Sequence, residues 1–141
     1  MRSVDDGDHV LVSLARGEEV VGQLTRFCHD RDFPHAGIEG IGAIEGITIG
    51  AYDLEQRGYR KQELAGGWEV LAFNGNFSWI SGEPMLHTHV TLADLDGRVR
   101  GGHLFAAVVH VTLELILRPG TIRVERGLDE ACGLNLWRLD S

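Results

Sequence analysis

The chain has 141 residues, the length of one compact domain, and its 43% apolar and 24% charged content is ordinary for a globular protein rather than a disordered one. Its formal charge of −8 disfavours direct nucleic-acid binding, which needs a basic face, and its densest cationic stretch is only Arg57, Arg60 and Lys61. Cys28 and Cys132 are too few for a disulfide framework, residues 1–8 are polar, and no apolar run reaches membrane-spanning length, so a soluble, reducing, cytoplasmic setting is expected.

Residues 10–14 read as a short strand. A helix is predicted over about 17–31, where Val20, Val21, Leu24, Phe27 and Cys28 recur at helical spacing, with Glu18 and Glu19 in its first turn and Pro34 stopping the chain beyond it. Cys28 lies on the apolar stripe and reads as a core thiol. Residues 36–52 are apolar with repeated glycines. Gly40-Ile41-Gly42 invites a dinucleotide reading, but the next glycine is Gly46 and the spacing misses that fingerprint, so two glycine-kinked strands are expected. Glu39 and Glu45 flank the kink, facing either solvent or a site. Residues 53–67 suit a loop or an edge excursion. Strands are then predicted at 68–73 and 76–80, with a turn or bulge at Asn74-Gly75 and a loop at 81–84. The apolar run from His103 to Leu117 is too long for an ordinary strand, and a bend or bulge is expected near Ala106-Ala107. Residues 118–120 turn the chain, and strands are predicted at 121–126 and 134–139. One principal helix among eight or so strands gives a single α+β domain over residues 1–141, with a mainly antiparallel sheet.

The stretch with most chemistry runs from Leu86 to Leu104. His87 and His89, two apart on a strand, share one face. Whether His103 joins them depends on the turn. A two-residue Asp96-Gly97 turn would set Val90 opposite His103. A three-residue loop with Gly97 in the left-handed conformation pairs Asp94 with Arg98 and brings His89 directly opposite His103. Asp94-Leu95-Asp96-Gly97 suits the second arrangement, since Asp94 caps such a turn and glycine accepts positive φ. Three neutral imidazoles so placed suit a divalent ion, zinc first, with one position left open. The spacing alone leaves two other readings: simple surface or interface polarity, and a metal-free acid/base or anion site. Gly101-Gly102 permits close backbone approach beside His103. His9, His29, His35 and His110 lack such clustering and read as solvated or structural. Glu114 interrupts an apolar strand, and a buried carboxylate there would need a partner, with Arg123 and Arg126 as candidates. No nucleophile elbow, phosphate-binding loop or paired zinc-type cysteines is present, so no catalytic residue is assigned; Glu39, Glu45 and Glu83 are the carboxylates on which a general base would have to be guessed.

The stretch Gly82-Glu83-Pro84, His87-x-His89-Val90, Asp94-x-Asp96-Gly97 and Gly101-Gly102-His103-Leu104 resembles the signature of the plants and prokaryotes conserved (PPC) domain. Gly40-Ile41-Gly42-Ala43, Trp68-Glu69-Val70-Leu71, Glu114 and Glu125-Arg126 fall where that family has comparable features, so the resemblance spans residues 10–139. It implies a compact domain that assembles as a homotrimer, and it strengthens the metal reading of His87, His89 and His103. Plant members join the domain to AT-hook segments in nuclear DNA-binding proteins. This sequence carries no Arg-Gly-Arg-Pro hook, and it has Phe105-Ala106-Ala107 where many members carry a glycine. The expected partners are other copies of the chain, and a small-molecule ligand or a protein. Three functional readings follow: a trimeric metal-binding protein, an oligomeric interaction module with a DNA-associated role, and a metal-dependent hydrolase or lyase.

Overall fold

The alternation of Val10, Val12 and Leu14 with Leu11, Ser13 and Ala15 buries one face of a strand and exposes the other, and this two-residue period recurs through most of the molecule. A computed structural model describes residues 1–139. Among them are nine strands and one helix: β1 (Arg2–Asp6), β2 (His9–Ala15), α1 (Val20–Asp30), β3 (Ala36–Asp53), β4 (Gly58–Leu64), β5 (Trp68–Ile80), β6 (Glu83–Ala93), β7 (Val99–Pro119), β8 (Glu125–Asp129) and β9 (Leu134–Arg138).

All strand pairs are antiparallel except a short parallel contact of β5 with β8. Strands β3, β5, β6 and β7 each pair with two others of the four, so they close on themselves, while β1–β2, β4 and β8–β9 extend the sheet outward. The helix packs against β6 and β7. Its buried stripe, Val20, Leu24 and Cys28, meets a core that includes Leu14, Ile44, Phe73, Phe77, Leu92, Leu104 and Leu113. Each such side chain removed from water contributes roughly 1.5–3 kcal/mol. Burial drives the Cys28 thiol up to about 12, the inert core cysteine expected.

Several boundaries depart from expectation. The helix begins at Val20, because Gly17 has φ of 85° and Glu19 is its cap, accepting hydrogen bonds from the Val21 and Gly22 amides. Residues 36–53 form one strand, since Gly40 and Gly42 serve close packing rather than a break: a Cβ on either would lie 2.2 Å from a β7 carbonyl oxygen. Asn74-Gly75 lies inside continuous β5, and the bulge falls earlier, between Val70 and Ala72. Residues 53–67 contain the paired strand β4, and the polar N-terminus contains β1. The 81–84 loop shrinks to Ser81-Gly82, both with positive φ, a two-residue hairpin turn. The strand predicted at 121–126 starts only at Glu125, and the last strand ends at Arg138. The bend near Ala106-Ala107 is present. Burial changes phase between Leu104 and Ala107, and the pairing with β3 shifts at Ala106.

Candidate metal centre

The turn between β6 and β7 sets the site. Gly97 has φ of 77°, its amide donates to the Asp94 carbonyl, and the Asp94 amide donates to the Arg98 carbonyl. The Asp94 carboxylate accepts from the Asp96 and Arg98 amides at 2.9 and 2.8 Å. This three-residue loop fixes the register His89↔His103, Leu92↔Arg100 and Ala93↔Val99. Gly102, opposite Val90, lies so near β3 that a Cβ there would stand 2.8 Å from the Gly50 carbonyl oxygen. Gly50 in turn pairs with His103 on one side and Lys61 on the other. Lys61, His103, His89 and Asn74 therefore lie in one rung across the outer face, with Gly50 the position in it that lacks a side chain.

The three imidazoles converge as the spacing predicts. One ligand nitrogen from each of His87, His89 and His103 lies within 4.8 Å of the others, and the His87 and His89 Nε2 atoms are 3.2 Å apart. Tetrahedral zinc with bonds of about 2.0–2.1 Å separates its nitrogens by about 3.3 Å, so the cluster is close to the required size. The His103 Nδ1 is buried with no hydrogen-bond partner among the described residues, a polar atom whose burial costs free energy unless something satisfies it. Burial first, then His87, His89 and Lys61, holds the His103 ring down to about 4; burial, Arg126 and His89 also lower His87. Both rings are neutral at pH 7, the form that offers a lone pair to a metal. These residues fit a divalent cation.

Around them lies a shell that sequence reasoning missed. Tyr59 and Phe105 pack against His103 at ring-centroid distances of 5.1 and 4.5 Å. Arg126, carried by β8 and 9% exposed, donates to Ser78 Oγ at 2.8 Å, to the Asn135 carbonyl at 3.0 Å and to Asn76 Oδ1 at 2.7 Å; its guanidinium also stands 3.5 Å from His87 Nδ1. The visible signal was Asn74, Asn76 and Ser78 at alternate positions between Phe73 and Trp79, which puts three polar side chains on one face of the strand. Asn74, Gly75, Asn76, His87 and His89 line a recess of about 280 Å³.

The other candidates fall elsewhere. Glu114 is exposed, and its side chain has no partner among the described residues, so neither Arg123 nor Arg126 serves it. Arg123 instead bonds Glu125 and covers the Trp79 ring. Glu45 bonds His110 Nδ1 at 2.9 Å, and Glu39 bonds Arg118 at 2.5 Å. Glu83 sits exposed beside the β5–β6 turn. Among the described residues none of the three bonds His87, His89 or His103. His35 bonds the Ile122 carbonyl, His9 accepts from Arg118, and His29 contacts Asp30 and the Trp79 ring, all structural contacts.

The family model of the Plants and Prokaryotes Conserved (PCC) domain matches residues 1–121. Among curated proteins none matches. Solved structures do. A plant- and prokaryote-conserved protein of Pyrococcus horikoshii is 32% identical with a TM-score of 0.86, covering 96% of this chain and 94% of its own. A metal-containing protein of Archaeoglobus fulgidus is 37% identical with a TM-score of 0.86, covering 95% of each chain. A candidate DNA-binding protein of Bacteroides thetaiotaomicron is 26% identical with a TM-score of 0.93, covering 97% of this chain and 96% of its own.

Proposed function

The chain belongs to the Plants and Prokaryotes Conserved domain family, and from that premise we propose that it is a homotrimeric cytoplasmic protein that binds one divalent metal ion, zinc first, through His87, His89 and His103. The observation that carries the reading is the convergence of three imidazole nitrogens within 4.8 Å beside an unpartnered, buried His103 nitrogen. The metal-containing description of the Archaeoglobus relative supports it. A metal held by three protein ligands keeps a position open and, when bound, supplies a Lewis acid there. The chain's own residues hold the rings: the Asp94 turn sets the register, Phe105 and Tyr59 pack His103, and Arg126 fixes Asn76 beside His87. With Glu39 and Glu45 bonded elsewhere and Glu83 at an exposed turn, none of these three carboxylates is aimed at the site as a general base, which favours a binding centre over a hydrolase or lyase.

Protein purified without an affinity tag is expected to carry about one equivalent of metal per chain by elemental analysis, and His89→Ala to lose it. Wild-type protein without metal and without zinc affinity would end the proposal.

The trimer is supported by an apolar groove of about 800 Å³ among β1, β2, β7, β3 and β5, which meets the histidine recess at Asn74. Val4, Leu11, Ile41 and Leu71 line it at 58, 39, 60 and 52% exposure, a cluster of large apolar side chains suited to a partner surface. A second reading, an interaction module that meets DNA through a protein partner, is favoured by the description of the Bacteroides relative. Direct contact is disfavoured by the charge of −8 and because Arg60 in the densest cationic stretch is bonded to Asp53.

A further inference from the structure

Among the described residues, the charged side chains felt by the His87 and His103 rings are Arg126 and Lys61, both cationic. Arg126 on the His87 side is buried, and all its partners are neutral: Ser78, Asn76, the Asn135 carbonyl and His87. A buried guanidinium normally sits against a carboxylate, and none is paired with it among the described residues. Lys61 lies in the same rung as His103, with its ammonium 4.1 Å from the Phe105 ring centroid, and it too has no carboxylate partner there. In a chain with 21 acidic and 13 basic residues, two uncompensated cations flanking one cluster are a local reversal of the overall field. Arg126 also decides which way Asn76 points: with Oδ1 accepting from the guanidinium, the amide NH2 is left as a donor at the recess beside His87 and His89.

We propose that the open position of this centre takes a small oxyanion, a carboxylate or phosphate group, contacted by the Asn76 amide and the Lys61 ammonium and balanced by the Arg126 charge. The inference rests on the metal reading above. A neutral carbonyl ligand would leave both cations uncompensated, whereas an anion of one or two charges meets a cationic metal, Lys61 and Arg126 together.

The test uses the full chain loaded with cobalt(II), whose stoichiometry is measured first. Cobalt absorption bands are then followed on adding acetate, inorganic phosphate or acetamide, the last matching acetate in shape without its charge. Both anions are expected to shift the bands saturably, and acetamide to leave them unchanged. Lys61→Gln, an exposed change, should bind cobalt with wild-type stoichiometry yet need about fivefold to tenfold more acetate or phosphate, and Lys61→Glu more still. Cobalt bound but indifferent to both anions would overturn the oxyanion inference and leave the metal centre standing. So would acetamide matching acetate, or Lys61→Gln matching wild type. Failure to bind cobalt would overturn the metal reading, and this inference with it.

Discussion

At the scale of the residue, His103 joins burial to function. Its ring sits between Phe105 and Tyr59 on one side and two more imidazoles on the other, so protonation is disfavoured in the folded chain. An unfolded chain keeps an ordinary histidine near 6.5, so between pH 6.5 and about 4 it binds a proton that the fold refuses. Stability of the metal-free protein is therefore independent of this group above about pH 6.5, falls with acidification through that window, and the loss is complete below the folded value. His87 acts in the same direction. The lowered carboxylates Glu18, Glu39 and Asp129 lose their contributions only at lower pH, so the interval from 7.5 to 5 isolates the histidines. Thermal melts of the metal-free protein are expected to drop across that interval, and His103→Gln to drop less. An equal fall in both proteins would refute this origin.

At the scale of the element, the β6–β7 hairpin was the part most open to reading, because its register follows from counting. Alternation put His87 and His89 on one face, and the residues of the Asp94–Gly97 loop selected the turn that aligned His103. Gly97→Val is expected to cost about 1–2 kcal/mol in urea unfolding, since a β-branched residue resists φ of 77°. It should also weaken metal binding, whereas Arg98→Ala, which keeps the turn backbone, should not; equal metal affinity in wild type and Gly97→Val would show that the loop does not set the site. What escaped reading was non-local. The glycines at 40 and 42 read as kinks because sequence cannot reveal that β7 runs 2.2 Å from where their Cβ atoms would be. Arg123 and Arg126 are the sequence's candidate partners for Glu114, whose alternation in β7 turns it to solvent, while the Arg126 guanidinium crosses to Ser78 and Asn76 on β5 through a parallel strand contact with no local signature.

At the scale of the whole molecule, two regions of the outer surface that meet at Asn74 carry different chemistry. The histidine cluster, with Arg126 and Lys61, occupies one region; the apolar groove of Val4, Leu11, Ile41 and Leu71 occupies another. Among the described residues no helix is long and apolar enough to cross a membrane. Self-association is the use proposed for the groove. Sedimentation equilibrium should give three times the 15.5 kDa chain mass, and Ile41→Asp should shift the protein toward monomer. A wild-type monomer would remove the trimer from the account while leaving the metal centre untouched, because all three proposed ligands come from one chain.

That last point decides which measurement bears hardest on the account. Anomalous scattering from a crystal of untagged protein, recorded on both sides of the zinc absorption edge, locates any bound ion directly. The account predicts one peak per chain, about 2.0–2.1 Å from a nitrogen of each of His87, His89 and His103. An ordered cluster of the three rings with no peak, in protein supplied with zinc, or a peak held by other residues, would contradict it.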